Sequence, residues 1–270
     1  MMRTVPTPPS AELDPALRAA IARVARVDRL LVALDFDGTL APEVDDPEAA
    51  RALPAAVPVL AGLRALPGTT VALVSGRSLA SLARVAQVDD TVPLIGSHGL
   101  ELRFGPGESP APVGAAEAQR VAALRLRLEP RVAAVAGAWI EDKPAGFAVH
   151  VRRVEGERAS RLLAALRAET ATERALTVRA GKNVLEFAVR DATKGDGLAA
   201  LRRRFAPDAV LFAGDDVTDE DALAVLGPGD VGIKVGPAPT IAAHRVADPA
   251  GLVDVLRLLM STRESPGSSR

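Results

Sequence analysis

The chain has 270 residues, enough for one large or two modest domains, with 48% hydrophobic and 25% charged residues. That is the make-up of a soluble globular protein, and a formal net charge of -1 gives no electrostatic reason to expect a nucleic-acid or anionic-membrane partner. With no cysteine there is no disulfide, thiolate metal site or cysteine nucleophile; no apolar run spans a bilayer, and His98, His150 and His244 lack metal-ligand spacing.

Residues 1–14 are expected to be a disordered leader without the pattern of a secretory signal, which leaves the cytoplasm as the expected location. A helix is predicted over Ala16–Val27. The apolar run Leu30–Leu34 then reads as a buried strand. It runs into Asp35-Phe36-Asp37-Gly38-Thr39-Leu40, two carboxylates one residue apart followed by a glycine turn. At the carboxyl end of a strand in an open α/β sheet, where ligands bind, such crowding of negative charge calls for a cation or a proton. It suits a Mg²⁺ site with a carboxylate nucleophile beside it.

Helical pattern resumes near Pro47–Leu66, broken by Pro54 and Pro58. Val71–Val74 reads as a second buried strand ending at Ser75-Gly76-Arg77, with a helix over Leu79–Ala86. Pro93–Ile95 reads as a third strand ending at Gly96-Ser97-His98-Gly99, and Leu100–Phe104 as the start of a hairpin. The Gly- and Pro-rich stretch from Gly105 to Gly114 reads as a linker. Beyond it the pattern changes. A helix over Ala115–Val135, interrupted near Pro130, leads to strands at Trp139–Asp142 and Phe147–Val151. A helix over Gly156–Thr170 leads to strands at Leu176–Ala180 and Val184–Ala188, the sequence of a small α+β unit. From Lys194 the first style returns. A helix reaches Arg204, a strand at Val210–Ala213 runs into Gly214-Asp215-Asp216, a helix covers Asp219–Leu226, a strand Val231–Val235 and a closing helix Leu252–Met260. The prediction is an α/β, doubly wound parallel sheet interrupted by a second domain. Its parts are core 15–107, insert 108–190, core 191–262 and a disordered tail 263–270.

Only Lys143, Lys182, Lys194 and Lys234 are lysines, against 29 arginines, so the lysines mark candidate sites for a compact ammonium. Parallel strands bring Asp35/Asp37, Ser75, Ser97/His98 and Asp215/Asp216 to one edge of the sheet. DFDGTL, SGR, KG and GDDVTDEDAL, in that order, resemble the signature of the haloacid-dehalogenase-like phosphatases. GSHG, WIEDK and GKNVLE narrow the resemblance to the trehalose-6-phosphate phosphatases, over about residues 28–260.

That resemblance implies a Rossmann-like core with an inserted α+β cap, and a Mg²⁺-dependent hydrolysis of trehalose 6-phosphate to trehalose and phosphate. Asp35 is then the nucleophile that forms an aspartyl-phosphate, and Asp37 the acid and base. Asp35, the Asp37 main-chain carbonyl and Asp215 are the Mg²⁺ ligands, Ser75 and Lys194 hold phosphoryl oxygens, and Gly38 lets the backbone approach the phosphate. His98 lines the substrate entrance. Glu141/Lys143 and Lys182/Glu186 match residues that contact the distal glucose, and Arg152 a further arginine. Asp216 is expected behind the metal ligands or joined to them through water. Asp219 and Glu220 are read as favourable helix N-terminal charges, and Arg77 as the partner of a structural acid. Arg179 fits surface pairing as well as sugar binding. A monomer working beside a trehalose-6-phosphate synthase, without nucleic acid or membrane, is expected. The alternatives are a phosphatase of sucrose or mannosyl phosphate, and an inactive sugar-phosphate sensor.

Overall fold

Leu30–Leu34 forms β1, and all five of its side chains are buried. A strand apolar at every position needs cover on both faces, and the alternation of its side chains shows that cover. Leu30, Val32 and Leu34 pack into one core cluster, while Leu31 and Ala33 pack into another on the opposite face. The structure is a computed structural model that describes residues 13–108, 114–143, 145–174, 176–181 and 183–264.

The chain enters through α1 (Pro15–Val24), whose first turn is capped by the Asp14 carboxylate. It continues from β1 through α2 (Ala56–Ala65), β2 (Thr69–Val74), α3 (Leu79–Ala86), β3 (Leu94–Gly96) and β4 (Glu101–Arg103). It then leaves the sheet for α4 (Ala115–Ala133), β5 (Trp139–Lys143), β6 (Gly146–His150), α5 (Gly156–Thr170), β7 (Thr177–Gly181) and β8 (Val184–Ala188). It returns through α6 (Lys194–Phe205), β9 (Ala209–Gly214), α7 (Asp219–Ala224), β10 (Val231–Val235), β11 (His244–Val246) and α8 (Pro249–Glu264). The large sheet has the order β11-β10-β9-β1-β2-β3-β4 and is parallel except for the edge strand β4. Helices α1, α2, α3 and α8 cover one face, and α6 and α7 the other.

The second sheet is antiparallel, in the order β5-β6-β8-β7. Phe147, Val149, Leu185 and Phe187 on one face pack against Leu124, Leu128 and Val132 of α4 and Leu162 and Leu166 of α5. The period-2 rule sends the alternate residues to the opposite face. There Glu141, Ala148, Glu186 and Arg179 lie in one row across the four strands. Ala148, fully buried, separates the two carboxylates in that row.

The structure departs locally from the sequence reading. The pattern over 47–66 resolves into a 3-10 turn at Pro47–Ala49 and α2, with Pro58 in the first turn of α2, where a missing N–H removes no intrahelical bond. Pro130 lies inside α4, which runs on to Ala133. α1 stops at Val24, three residues before its predicted end. β11, a three-residue edge strand, was not predicted. The leader and tail readings fall largely on residues outside the described ones. No described helix is long and apolar enough to cross a membrane.

Candidate active site

The parallel register places the ends of β1, β2 and β9 side by side, and α6 begins beside them. Asp35 follows β1 and is 4% exposed, Ser75 follows β2 at 2%, and Lys194 opens α6 at 3%. Thr193 caps α6 in a reciprocal pair with Asp196, which fixes where Lys194 enters the site. Lys194 Nζ donates to Asp35 Oδ1 and to Asp219 Oδ1, both at 2.7 Å. Asp219 is fully buried and also accepts the Asp216 main-chain N–H at 2.9 Å. Asp219 stands in the first turn of α7, where the sequence placed it as a helix-end charge, and it also belongs to the acidic cluster, drawn in because Gly214 leaves space. A Cβ on Gly214 would stand 2.2 Å from Asp219 Cγ.

Asp35, Asp215 and Asp219 each offer a carboxylate oxygen, all within 4.8 Å of one another. Burial pushes the Asp35 carboxyl well above the usual carboxylate range, outweighing the attraction of Lys194. Burial and the neighbouring Asp219 push Asp215 up to about 6. Burial alone would lower Lys194, but Asp219 and Asp35 hold it above the ordinary lysine range. One ammonium thus faces three carboxylates, and the deficit is positive charge. Hard oxygen donors in a buried, negatively charged cluster fit a Mg²⁺-like cation. Gly38 serves this cluster directly. Its φ is +78°, and a Cβ there would lie 2.1 Å from Asp215 Oδ2. Thr39 Oγ1 donates to Asp215 Oδ1 at 3.1 Å. Asp216 is exposed and accepts the Val217 N–H at 2.7 Å.

Asp37 points elsewhere. Arg77 donates through Nε to Asp37 Oδ2 and through Nη2 to Asp37 Oδ1, both at 2.6 Å. The acid that Arg77 pairs with is therefore itself a predicted site residue. His98, in the left-handed region at φ 56°, brings its Nε2 to 2.9 Å from Glu186 Oε2 on the second sheet. Lys143 Nζ donates to the Gly76 carbonyl at 3.0 Å and lies 3.3 Å from Glu141 Oε1 and 3.8 Å from Glu186 Oε1. Burial raises Glu141, but the His150 hydrogen bond and the Lys143 charge hold it down at about 2. Burial likewise opposes the His98 hydrogen bond at Glu186, which stays below the usual range.

The two sheets enclose a cleft of about 710 Å³, lined by Asp35, Asp37, Ser75, His98, Lys194 and Asp215 below and by Glu141, Lys143, Arg152 and Glu186 above. Arg152 Nη1 donates to the Val44 carbonyl at 2.7 Å. Arg179 donates to Asp191 Oδ1 at 3.1 Å and to the Ala192 carbonyl at 2.6 Å, while still lining the cleft. Lys182 lies outside the described residues. Sequence reasoning missed Trp139, His150 and Arg153. His150 Nε2 is 2.7 Å from Glu141 Oε2, its ring stacks on Trp139 with centroids 4.7 Å apart, and Arg153 lies over the indole at 5.3 Å. The available signal was period 2, since Trp139, Glu141 and Lys143 must share a face.

Comparison with known proteins bears on this arrangement. The family model described as trehalose-phosphatase matches residues 33–250. The chain is 33% identical over 242 residues to a bifunctional trehalose-6-phosphate synthase/phosphatase of Thermoproteus tenax, covering 87% of this chain and 32% of that protein. It is 36% identical over 253 residues to a trehalose-phosphate phosphatase of Mycobacterium tuberculosis, covering 87% of this chain and 62% of that protein. The match thus spans less than two thirds of these relatives' length. Among solved structures, the C-terminal domain of Candida albicans trehalose-6-phosphate phosphatase superposes with a TM-score of 0.77 at 22% identity, covering 94% of this chain and 99% of that one. A haloacid-dehalogenase-like hydrolase of Bacillus subtilis superposes with a TM-score of 0.60 at 15% identity, covering 84% and 98%. Both show the fold.

Proposed function

The chain belongs to the trehalose-phosphatase family, and from that premise we propose that it hydrolyses trehalose 6-phosphate to trehalose and inorganic phosphate through an aspartyl-phosphate on Asp35. The observation that carries the reading is the buried Asp35 carboxylate, held by Lys194 at 2.7 Å at the floor of a cleft whose roof carries Glu141, Lys143 and Glu186.

In this account an Asp35 oxygen attacks phosphorus in line, and the bond from phosphorus to the sugar oxygen breaks. Asp37 gives its proton to that departing oxygen. Asp37 then takes a proton from water as the water oxygen attacks phosphorus, which breaks the bond to Asp35 and frees phosphate. Ser75 and Lys194 hold the non-bridging oxygens, with Lys194 as a point charge on a fixed helix end. Asp35, the Asp37 main-chain carbonyl and Asp215 would hold Mg²⁺, with Asp219 close by. When bound, that cation offsets the charge of an anionic nucleophile meeting an anionic phosphate.

The second sheet reads the sugar. Carboxylate and ammonium groups side by side both accept from and donate to vicinal hydroxyls. Glu141, Lys143 and Glu186 supply that pattern over the cleft, and Arg152 and Lys182 are assigned to the same end of the substrate. We assign residues 108–190 to a cap that closes on the core, with hinges near 106–107 and 190–191, so that the right sugar completes the site. The chain acts as a monomer and takes its substrate from a trehalose-6-phosphate synthase, an activity fused to the phosphatase in the Thermoproteus tenax relative.

The test is phosphate release from trehalose 6-phosphate, sucrose 6-phosphate, a mannosyl phosphate and glucose 6-phosphate, with Mg²⁺ and with EDTA. Preference for trehalose 6-phosphate that EDTA abolishes supports the reading. Release from all four at equal rates, or none, refutes it.

A further inference from the structure

We infer that Arg77 is a positioning residue that fixes the carboxylate of Asp37 for proton transfer, an inference that rests on the acid–base role proposed for Asp37. The guanidinium meets both carboxylate oxygens at 2.6 Å. A planar fork against a planar carboxylate sets its plane as well as its place, which a point charge cannot do. The asymmetry of exposure shows which partner is the post. The Arg77 side chain is 12% exposed and that of Asp37 39%. Arg77 is tied at two further points, through Nη1 to Ser81 Oγ at 3.2 Å and through its main-chain N–H to Ser75 Oγ at 3.2 Å. Its neighbour Gly76 is gripped from the second sheet by Lys143 at 3.0 Å. Asp37 lines the cleft, in the turn that also carries Gly38 and Thr39.

Both oxygens of Asp37 are taken in this arrangement, so neither is free for a departing sugar oxygen. The two-point fork belongs to the resting carboxylate; in the protonated acid the carbonyl oxygen keeps its bond from Arg77 and the hydroxyl turns to the departing sugar oxygen. Arg77 does not touch the reacting atoms. Its effect is confined to the step in which the leaving oxygen needs a proton. A sugar alkoxide needs one, whereas p-nitrophenolate leaves without it.

The experiment compares kcat/KM for trehalose 6-phosphate and for p-nitrophenyl phosphate, since kcat/KM reports events up to loss of the leaving group. Arg77→Ala is expected to lower it roughly 10- to 100-fold for the sugar phosphate, the scale of a misplaced catalytic group, and less than about threefold for the aryl phosphate. Arg77→Lys, which keeps the charge without the fork, falls between wild type and Arg77→Ala. In an Asp37→Ala background, Arg77→Ala changes the sugar-phosphate value by less than about twofold, because the two residues act as one unit. Equal losses on both substrates, or full additivity with Asp37→Ala, overturn the inference and place Arg77 on the phosphoryl group or the fold. If Asp37→Ala alone strikes both substrates equally, the acid–base reading of Asp37 has failed, a result obtained without touching Arg77.

Discussion

Lys194 Nζ lies 2.7 Å from Asp35 Oδ1, across a sequence separation of 159 residues that contains the whole second sheet. The contact joins the first strand of the core to the first helix after the insert. It also binds the same ammonium to Asp219 at 2.7 Å, so one buried cation holds two buried carboxylates.

Removing that ammonium strands both acids. Lys194→Met is expected to destabilise the metal-free protein by about 3–5 kcal/mol, the range for breaking a buried ion pair from one side. Urea unfolding followed by circular dichroism reads this, as a lower midpoint at unchanged slope. A midpoint equal to wild type would mean that Asp35 and Asp219 do not depend on Lys194.

Asp35→Asn acts in the opposite direction on stability. The folded protein holds the Asp35 pKa well above its ordinary value, so the ionised carboxylate weakens the fold near neutral pH. The neutral amide is expected to melt at or above the wild-type temperature without metal, while turnover of trehalose 6-phosphate is lost. A variant that melts lower and keeps turnover would contradict both halves.

Metal binding should carry a proton signature. The folded pKa of Asp215 is about 6, above the ordinary carboxylate value, so the unfolded chain releases this proton first as pH rises. Metal-free stability from this group is therefore greatest below about pH 4 and falls as pH rises through about 6. A cation needs the ionised form, so its stabilising effect moves the other way. The rise in melting temperature on adding Mg²⁺ is expected to be larger at about pH 7.5 than at about pH 5. Equal shifts at both would exclude Asp215 as a ligand.

The roof of the cleft should govern the sugar and not the phosphate. Glu141→Gln keeps the shape but removes the charge that holds Lys143 at 3.3 Å and His150 at 2.7 Å. Loss of a hydrogen bond to a charged group is worth about 1.5–3 kcal/mol, so KM for trehalose 6-phosphate is expected to rise roughly 10- to 100-fold. KM for p-nitrophenyl phosphate, which has no distal sugar, should stay within about twofold. A parallel rise for both substrates would remove Glu141 from sugar recognition.

The core was legible where a local rule suffices. An apolar run bounded by an Asp-rich turn fixed Leu30–Leu34, and β-branched composition between glycine turns fixed Val231–Val235. The face of β5 could have been read from its alternation, and with it Trp139. Three things lay beyond local pattern. β11 has three residues and no period of its own. Asp219 has the sequence context of a helix-start charge, and only the packing of Lys194 and Gly214 makes it part of a cluster. The partner of Arg77 lies 40 residues away on a neighbouring strand end, a contact set by parallel register and not by spacing.

The central claim, that Asp35 takes the phosphoryl group, is tested most directly by quenching turnover of trehalose 6-phosphate in acid within milliseconds, reducing with borohydride and mapping peptides by mass. An acyl phosphate is reduced to an alcohol, so the account predicts a mass change confined to residue 35 and absent from protein quenched without substrate. Reduction at Asp37 or Asp215 instead, or phosphate released with no reducible adduct at any time, would contradict it.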